Sequence, residues 1–248
     1  MYKMETVISK DKKEIFTGIL DTIANFIPEK SNKKMSILVE GHELSLIGMD
    51  DAQTVYFTFK FSEAFFEEHS NWSNIQIGAS PSDLKSILNL FKNESIHVEL
   101  SEERIKLSDE AKDKNLELFA FEKQYYIQKI DNSQFYFTLP KQVFLDSIRV
   151  ANIYGDYLSI SINNDANLIF KTEGPKGNAF IKTVNPKITN GEIIALENLY
   201  SCNSLIKVEP LLALKDTVSL GITNQGPLQF IFDDLGVSGK ILFATYTS

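Results

Sequence analysis

The 248-residue sequence contains one cysteine, Cys202, and one tryptophan, Trp72. A single thiol excludes an intramolecular disulfide and any Cys–His zinc cluster, and it points to a reducing, intracellular setting. No apolar run approaches the roughly 20 residues of a membrane span, and the opening MYKMETVISKDKKE carries too much charge for a secretory signal. No G-x-S-x-G elbow occurs. Gly174-Pro-Lys-Gly177 lacks both the Gly-Lys-Ser/Thr unit and the following helix of a phosphate loop, so it reads as a hairpin turn. His69 and His97 have no motif partners and read as exposed or locally bonded. Positive charge is scarce too: 25 Lys and Arg stand against 33 Asp and Glu, a net −8. Proteins that grip DNA by surface charge are usually basic. This one either avoids DNA or gathers its cations on a minority of its surface.

What is present reads as a strand-rich globular chain. Apolar residues make up 43% and charged residues 23%, enough for one large domain or two of about 120 residues. Eighteen Phe and nine Tyr favour strands. Ile15, Ile19 and Ile23 with Phe16, Leu20 and Ala24 predict a helix over 10–26, with Ser9 as N-cap and Pro28 ending the segment. MSILVE, HELSLIG and TVYFTFKF follow as strands, with Val55, Phe57, Phe59 and Phe61 on one buried face. Ser80-Pro opens a second helix, SDLKSILNLFK, carrying Leu84, Ile87, Leu88 and Phe91 on one face. IHVEL, RIKL and NLELFAF alternate as strands.

The second half repeats this order. Pro140-Lys-Gln starts a helix that ends at Gly155-Asp156, with Val143, Phe144, Ile148, Val150 and Ala151 near one face. YLSISI, NLIFKT and AFIKTV are strands, with a turn at Asn163-Asn164-Asp165. EIIAL leads to a helical window near Cys202–Leu214, in which Cys202 reads as half-buried at most. TVSLGI, PLQFIF and KILFATY close the chain. DLKSILNLFKNESIHVEL answers NSLIKVEPLLALKDTVSLGI, 121 residues apart from Leu84 to Leu205. EIFTGI answers QVFLDSI, and LELFAF answers KILFAT. FEKQYYIQKIDNSQF has no period and reads as a linker. The expectation is two similar α+β domains, 1–120 and 135–248, joined by a connector over 121–134.

GMDDAQTVYFTFKF raises the question of an acidic site. Asp50 and Asp51, with His42 eight residues earlier, could hold a metal, or they could simply form the turn between two strands. Asp suits such turns because it bonds local backbone N–H groups, and His42 falls at the far end of its strand. The turn is the expectation, and a metal-dependent enzyme centred on His42, Asp50 and Asp51 is the alternative. The windows 9–23, 81–92, 140–152 and 201–215 hold nine basic and six acidic residues, a net +3 that leaves −11 for the rest of the chain. If these helices shared one surface in a ring of copies, they would give weak, sequence-independent phosphate contacts.

Four blocks, in order over about residues 6–248, carry a resemblance. They are GMDDAQTVYFTFKFSEAFFEEH, SPSDLKSILNLFKNESIHVEL, GDYLSISINNDANLIFKTEGPKGNAFIKTV and NQGPLQFIFDDLGVSGKILFATYTS. Together they resemble the sliding clamps of the proliferating cell nuclear antigen (PCNA) family. That resemblance implies the DNA-clamp fold, in which three chains form a ring of two-domain subunits with helices inside and sheet outside. It implies a non-enzymatic processivity factor without metal or cofactor. The implied partners are encircled double-stranded DNA, a DNA polymerase and other clamp-binding proteins, a clamp loader, and the chain itself or paralogous subunits. The setting would be the nucleus of a eukaryote, or the cytoplasm for an archaeal or viral protein. A monomeric or heteromeric clamp-like processivity, checkpoint or transcription factor is the alternative.

By position, the implied DNA-facing bases are Lys12, Lys13, Lys85, Arg149 and Lys207, then Lys10, Lys92 and Lys141. The implied partner groove comprises Met49, Gln53, Thr54, Ile127, Ile130, Pro227, Leu242, Phe243 and Ala244. The implied subunit edges are Asn115, Leu116, Leu118, Phe119 and Phe121 on one side, and Asn178, Phe180, Ile181 and Lys182 on the other. The chain departs from the family at Gln53, at Thr54, in its short connector and in its tail, Phe243-Ala-Thr-Tyr-Thr247. These departures mark it as a divergent member.

Overall fold

Alternating apolar runs fold into antiparallel strands, and helical stripes cover them, in the same order twice. The computed structural model describes residues 4–31, 34–70, 72–91, 95–110, 113–122, 124, 133–163, 165, 167–183, 187–190 and 195–246. The chain divides into two units, Met1–Gln128 with Asp233–Gly239, and Lys129–Phe232 with Lys240–Ser248. The first half runs β1 (Met4–Ile8), α1 (Lys10–Phe26), β2 (Met35–Glu40), β3 (Glu43–Met49), β4 (Val55–Ser62), β5 (His69–Ser70), β6 (Ile75–Ala79), α2 (Pro81–Leu88), β7 (Ile96–Leu100), β8 (Arg104–Ser108) and β9 (Asn115–Phe119). The second runs β10 (Phe135–Pro140), α3 (Lys141–Tyr154), β11 (Tyr157–Ile162), β12 (Leu168–Gly174), β13 (Gly177–Thr183), β14 (Lys187–Asn190), β15 (Leu196–Ser201), α4 (Cys202–Leu205), α5 (Glu209–Ala213), β16 (Thr217–Ile222), β17 (Leu228–Asp234) and β18 (Val237–Phe243).

The first unit holds two antiparallel sheets, ordered β5-β1-β7-β8-β9 and β6-β2-β3-β4. In the second half the orders are β14-β10-β16-β17-β18 and β15-β11-β12-β13. Every strand of the second half takes the place of its counterpart nine strands earlier. The repeat that is faint in residue identity is complete in topology.

α1 covers the limits its periodicity predicts. Ile15, Phe16, Ile19, Leu20, Ile23 and Phe26 are buried along one stripe, and the helix packs beside α2. Ser9 takes the N-cap position without a side-chain bond, whereas Ser80 does cap α2, its Oγ accepting from the Asp83 N–H at 3.3 Å. α2 stops at Leu88, short of the predicted stripe, yet Phe91 beyond it is still fully buried. The window near Cys202–Leu214 is a helix in three pieces: α4, a 3-10 turn over Ile206–Val208, and α5. Pro210, lacking an N–H, prevents one continuous ladder there.

In β4, Val55, Phe57, Phe59 and Phe61 are buried as their alternation predicts. Phe61 meets Phe16 at 5.2 Å and Phe65 at 4.9 Å between ring centroids. Gly48 makes room for Phe57: a Cβ there would lie 2.3 Å from the ring. Tyr56, predicted on the outer face, is also buried, so this strand is covered on both sides at its start.

Sequence pattern alone marks none of β1, β5, β6, β10 and β14, and it misplaces one further strand. The strand in the EIIAL region is β15, Leu196–Ser201; residues 191–194 lie outside those described. β6 and β10 were not separable from their surroundings in sequence. β10 runs straight into α3 at Pro140 with no turn residue between them. Cys202 is also corrected: it is fully buried at the start of α4. Its N–H donates to the Asp156 carbonyl at 2.9 Å. Burial, helped by the nearby Asp156 carboxylate, pushes its thiol up to about 12, so the thiol stays protonated and inert at physiological pH.

The β17–β18 turn holds Leu235 at φ +36° beside Gly236 at φ +84°, and Leu235 is exposed. A branched side chain gains nothing there and is held in the left-handed region. Leu235→Asn is expected to raise stability by about 0.5–1 kcal/mol, read as a higher denaturant midpoint with unchanged slope. Among the described residues no helix is long and apolar enough to cross a membrane.

Candidate functional site

The acidic pair at Asp50-Asp51 resolves as a turn. Asp50 Oδ1 accepts from the backbone N–H groups of Thr54 at 2.7 Å and Val55 at 2.8 Å, while Oδ2 accepts from the Thr54 hydroxyl at 2.9 Å. Asp51 Oδ1 accepts from the Ser31 hydroxyl at 2.7 Å. Gln53 sits at φ +59°, the left-handed residue of that turn. His42 faces elsewhere, 3.5 Å from Glu63 and against Trp72. Among the described residues no group of three or more His, Cys, Asp or Glu gathers into a cation site. Asp50→Ala is expected to cost about 1–2 kcal/mol of stability by removing the charged acceptor of two turn N–H groups and one hydroxyl, and chelator is expected to change neither protein's melting.

The helices carry the basic residues singled out from sequence. With their observed limits, α1, α2, α3, α4, the 3-10 turn and α5 hold seven basic and six acidic residues, a net +1 in place of +3. Lys10 is exposed. Lys12 Nζ donates to the Ala64 carbonyl at 2.8 Å and lies over the Phe65 ring. Lys13 Nζ donates to the Phe91 carbonyl. Lys85 of α2 pairs with Asp21 of α1 at 2.5 Å, bringing these two helices' charges together. In the second unit Arg149 of α3 pairs with Glu209 of α5 at 2.6 Å, and Lys141 reaches Asp216 at 3.6 Å. Lys207 is half-buried in the 3-10 turn, and Lys92 lies outside the described residues.

Two strands end their sheets with large apolar side chains in solvent. Among the described residues β9 pairs only with β8, and β13 only with β12. Phe119 is 79% exposed and Phe180 is 61% exposed. Asn115 and Asn178 are also exposed, while Leu116, Leu118 and Ile181 are partly covered. The Ala120 N–H bonds back to Glu103, so by antiparallel alternation the backbone groups of Asn115, Glu117 and Phe119 point outward. Phe121 keeps that direction and forms a single bridge to Gly78 of β6, with N···O distances of 2.8 and 2.9 Å. A Cβ at Gly78 would lie 2.7 Å from the Glu122 carbonyl, so glycine permits this approach. On β13 Lys182 lies in the strand.

Of the groove candidates in the first unit, Met49 is half-buried at the end of β3, and Gln53 and Thr54 are exposed in the turn. In the second unit Pro227 is half-buried and Ala244 is exposed, whereas Leu242 and Phe243 are 3% and 2% exposed and face the core. Ile127 and Ile130 lie outside the described residues, as does most of the predicted connector. Gln124, at its root, is tied to the first unit: its carbonyl accepts from Ser36 Oγ at 2.6 Å and its side chain from the Lys34 N–H at 3.0 Å.

Sequence reading missed the anchors of these segments. Asn198 and Tyr200 of β15 are buried and hold the loop that leads to Pro227. Asn198 Nδ2 donates to the Thr223 carbonyl at 2.7 Å and the Tyr200 hydroxyl at 3.0 Å, Asn198 Oδ1 accepts from the Gln225 N–H at 3.0 Å, and the Tyr200 hydroxyl donates to the Gly226 carbonyl at 3.2 Å. Tyr246 forms the counterpart of the Phe121 bridge, its N–H donating to the Leu199 carbonyl at 2.8 Å, and its ring stacks on Tyr157 at 4.3 Å. Burial and the Tyr246 hydroxyl together raise the Tyr157 hydroxyl above its ordinary range. A signal was present, since Leu196, Asn198 and Tyr200 alternate, but a polar residue on the buried face disguised the strand.

No family model matches the chain, and no curated protein sequence matches it. Among solved structures, the crystal structure of Proliferating Cellular Nuclear Antigen from Entamoeba histolytica matches 100% of this chain and 100% of that chain, with a TM-score of 0.83 at 14% identity. The chain has a PCNA-like α+β clamp fold.

Proposed function

We propose that the chain is a DNA sliding clamp, a non-enzymatic processivity factor. Three copies, or this chain with paralogous subunits, close a ring around duplex DNA and tether a DNA polymerase and other clamp-binding proteins, and a clamp loader opens the ring. The observation that carries this reading is the full-length likeness to a PCNA structure in a chain whose β9 and β13 edges stay open. Such edges are where two copies can add strand to strand, with Phe119, Phe121 and Phe180 supplying apolar area. Lys12, Lys13, Lys85, Arg149 and Lys207, with Lys10, Lys92 and Lys141, are the groups proposed to face DNA. Met49, Gln53, Thr54, Pro227 and Ala244, with Ile127 and Ile130 of the connector, are those proposed to meet partner peptides. The low helix charge supports a grip by enclosure over one by affinity.

The test is native mass measurement and retention on DNA. The reading expects a species of three times the 28.1 kDa chain mass. Once loaded, that species should stay on closed circles and leave when they are cut. A protein that remains at 28.1 kDa at every concentration and never stays on circles overturns it.

A further inference from the structure

We infer that Asp21 and Glu209 act as built-in counter-ions that hold down the grip of the helix faces on duplex DNA. The inference rests on the clamp reading for where DNA lies, although each ion pair sits within one unit. Lys85 and Arg149 are helix cations that each have an acid in direct contact, at 2.5 Å from Asp21 and 2.6 Å from Glu209. The paired side chains are partly solvated, 38% and 30% exposed in the first pair and 51% and 50% in the second. Pairs this open are weak and exchange readily, so a phosphate can displace the carboxylate.

The displaced carboxylate stays tethered beside the phosphate and repels it. Each contact is then an exchange between two acceptors, where a cation without a counter-ion would simply capture the phosphate. The helices as formed carry only +1, so no surplus of cations offsets this. A ring that must move along DNA gains from contacts that are made and lost quickly. The acids that sequence inspection counted against DNA binding thus become part of how the DNA is held.

The experiment compares two double variants of the full chain that change net charge equally, Asp21→Asn with Glu209→Gln, and Glu43→Gln with Glu173→Gln. Glu43 and Glu173 pair with Lys60 and Lys171 on strands. Binding to a short fluorescent duplex is measured across a salt series, with native mass taken on the same samples. The helix variant is expected to bind about three- to tenfold more tightly. Its dependence on salt should steepen by about 0.9 for each further phosphate that the freed cations neutralise. The strand variant should match the unmodified protein. Equal tightening in both variants reduces the effect to net charge and overturns the inference, and so does no change in either. Charge swaps, Asp21→Lys with Lys85→Asp and Glu209→Arg with Arg149→Glu, restore the pairs and should return the original affinity even if the neutral variants fold poorly. A monomer by native mass defeats the ring reading, while the affinity comparison still decides the role of the acids.

Discussion

Phe119→Glu combined with Phe180→Glu is expected to abolish assembly and leave a folded 28.1 kDa chain. Both rings already stand mostly in solvent, at 79% and 61% exposed, so neither substitution removes core packing from its own unit. In the proposed ring each would be buried. Burying a Phe side chain contributes about 2–3 kcal/mol, and this occurs at every subunit boundary. A carboxylate in its place would lose that gain and leave an uncompensated charge in the interface, costing several kcal/mol more. The neighbouring Arg104 guanidinium, 5.8 Å from the Phe119 ring, offers partial relief at one side, which is why both positions are changed together. Native mass spectrometry or light scattering reads the outcome directly. Far-ultraviolet circular dichroism should be unchanged, and melting should lose its dependence on protein concentration. A trimer that survives both substitutions would place the boundary on strands other than β9 and β13.

Asn198→Ala should be the most damaging single polar substitution in the second unit, lowering stability by about 2–4 kcal/mol because it orphans buried groups without replacing them. Asn198 is 5% exposed, and its amide serves the Thr223 carbonyl, the Gln225 N–H and the Tyr200 hydroxyl at once. Gln225 is held at φ +53°, a conformation the network over-determines. Tyr200→Phe keeps the ring and removes only the hydroxyl, so a loss of about 1 kcal/mol is expected there. Denaturant melts separate the two. If Asn198→Ala proves as mild as Tyr200→Phe, water has replaced the amide and the loop is held by packing alone. The substitution should also loosen Gly226 and Pro227, visible as faster amide exchange at Gly226 with little change in β10 or β16.

The sequence was most readable where a single period governs a long stretch. α1 could be bounded to the residue because its apolar stripe is uninterrupted and Pro28 follows closely. The four alternating apolar residues of β4 fixed its buried face, although Tyr56 shows that alternation cannot reveal cover on a second side. β10 was hidden by adjacency to α3, and β15 by Asn198, whose polarity is tolerated because it bonds with Tyr200 and three nearby backbone groups bond with one or the other. The site was legible as residue types and not as relationships. Lys85 and Arg149 could be named from sequence, but their carboxylate partners are 64 and 60 residues away, a separation that only folding closes. The Asp50-Asp51 turn could be read early because all its bonds but the one from Ser31 are local.

The single rungs at Gly78–Phe121 and Leu199–Tyr246 also bear on how the two halves would carry a mechanical load. They fall at matching points of a duplicated strand order, just after the last strand of each half. Each joins the segment leaving its half to the strand that feeds the following helix. Tension on either exit segment is therefore met by one rung before it reaches the sheet, and at Tyr246 the ring stacked on Tyr157 shares that load.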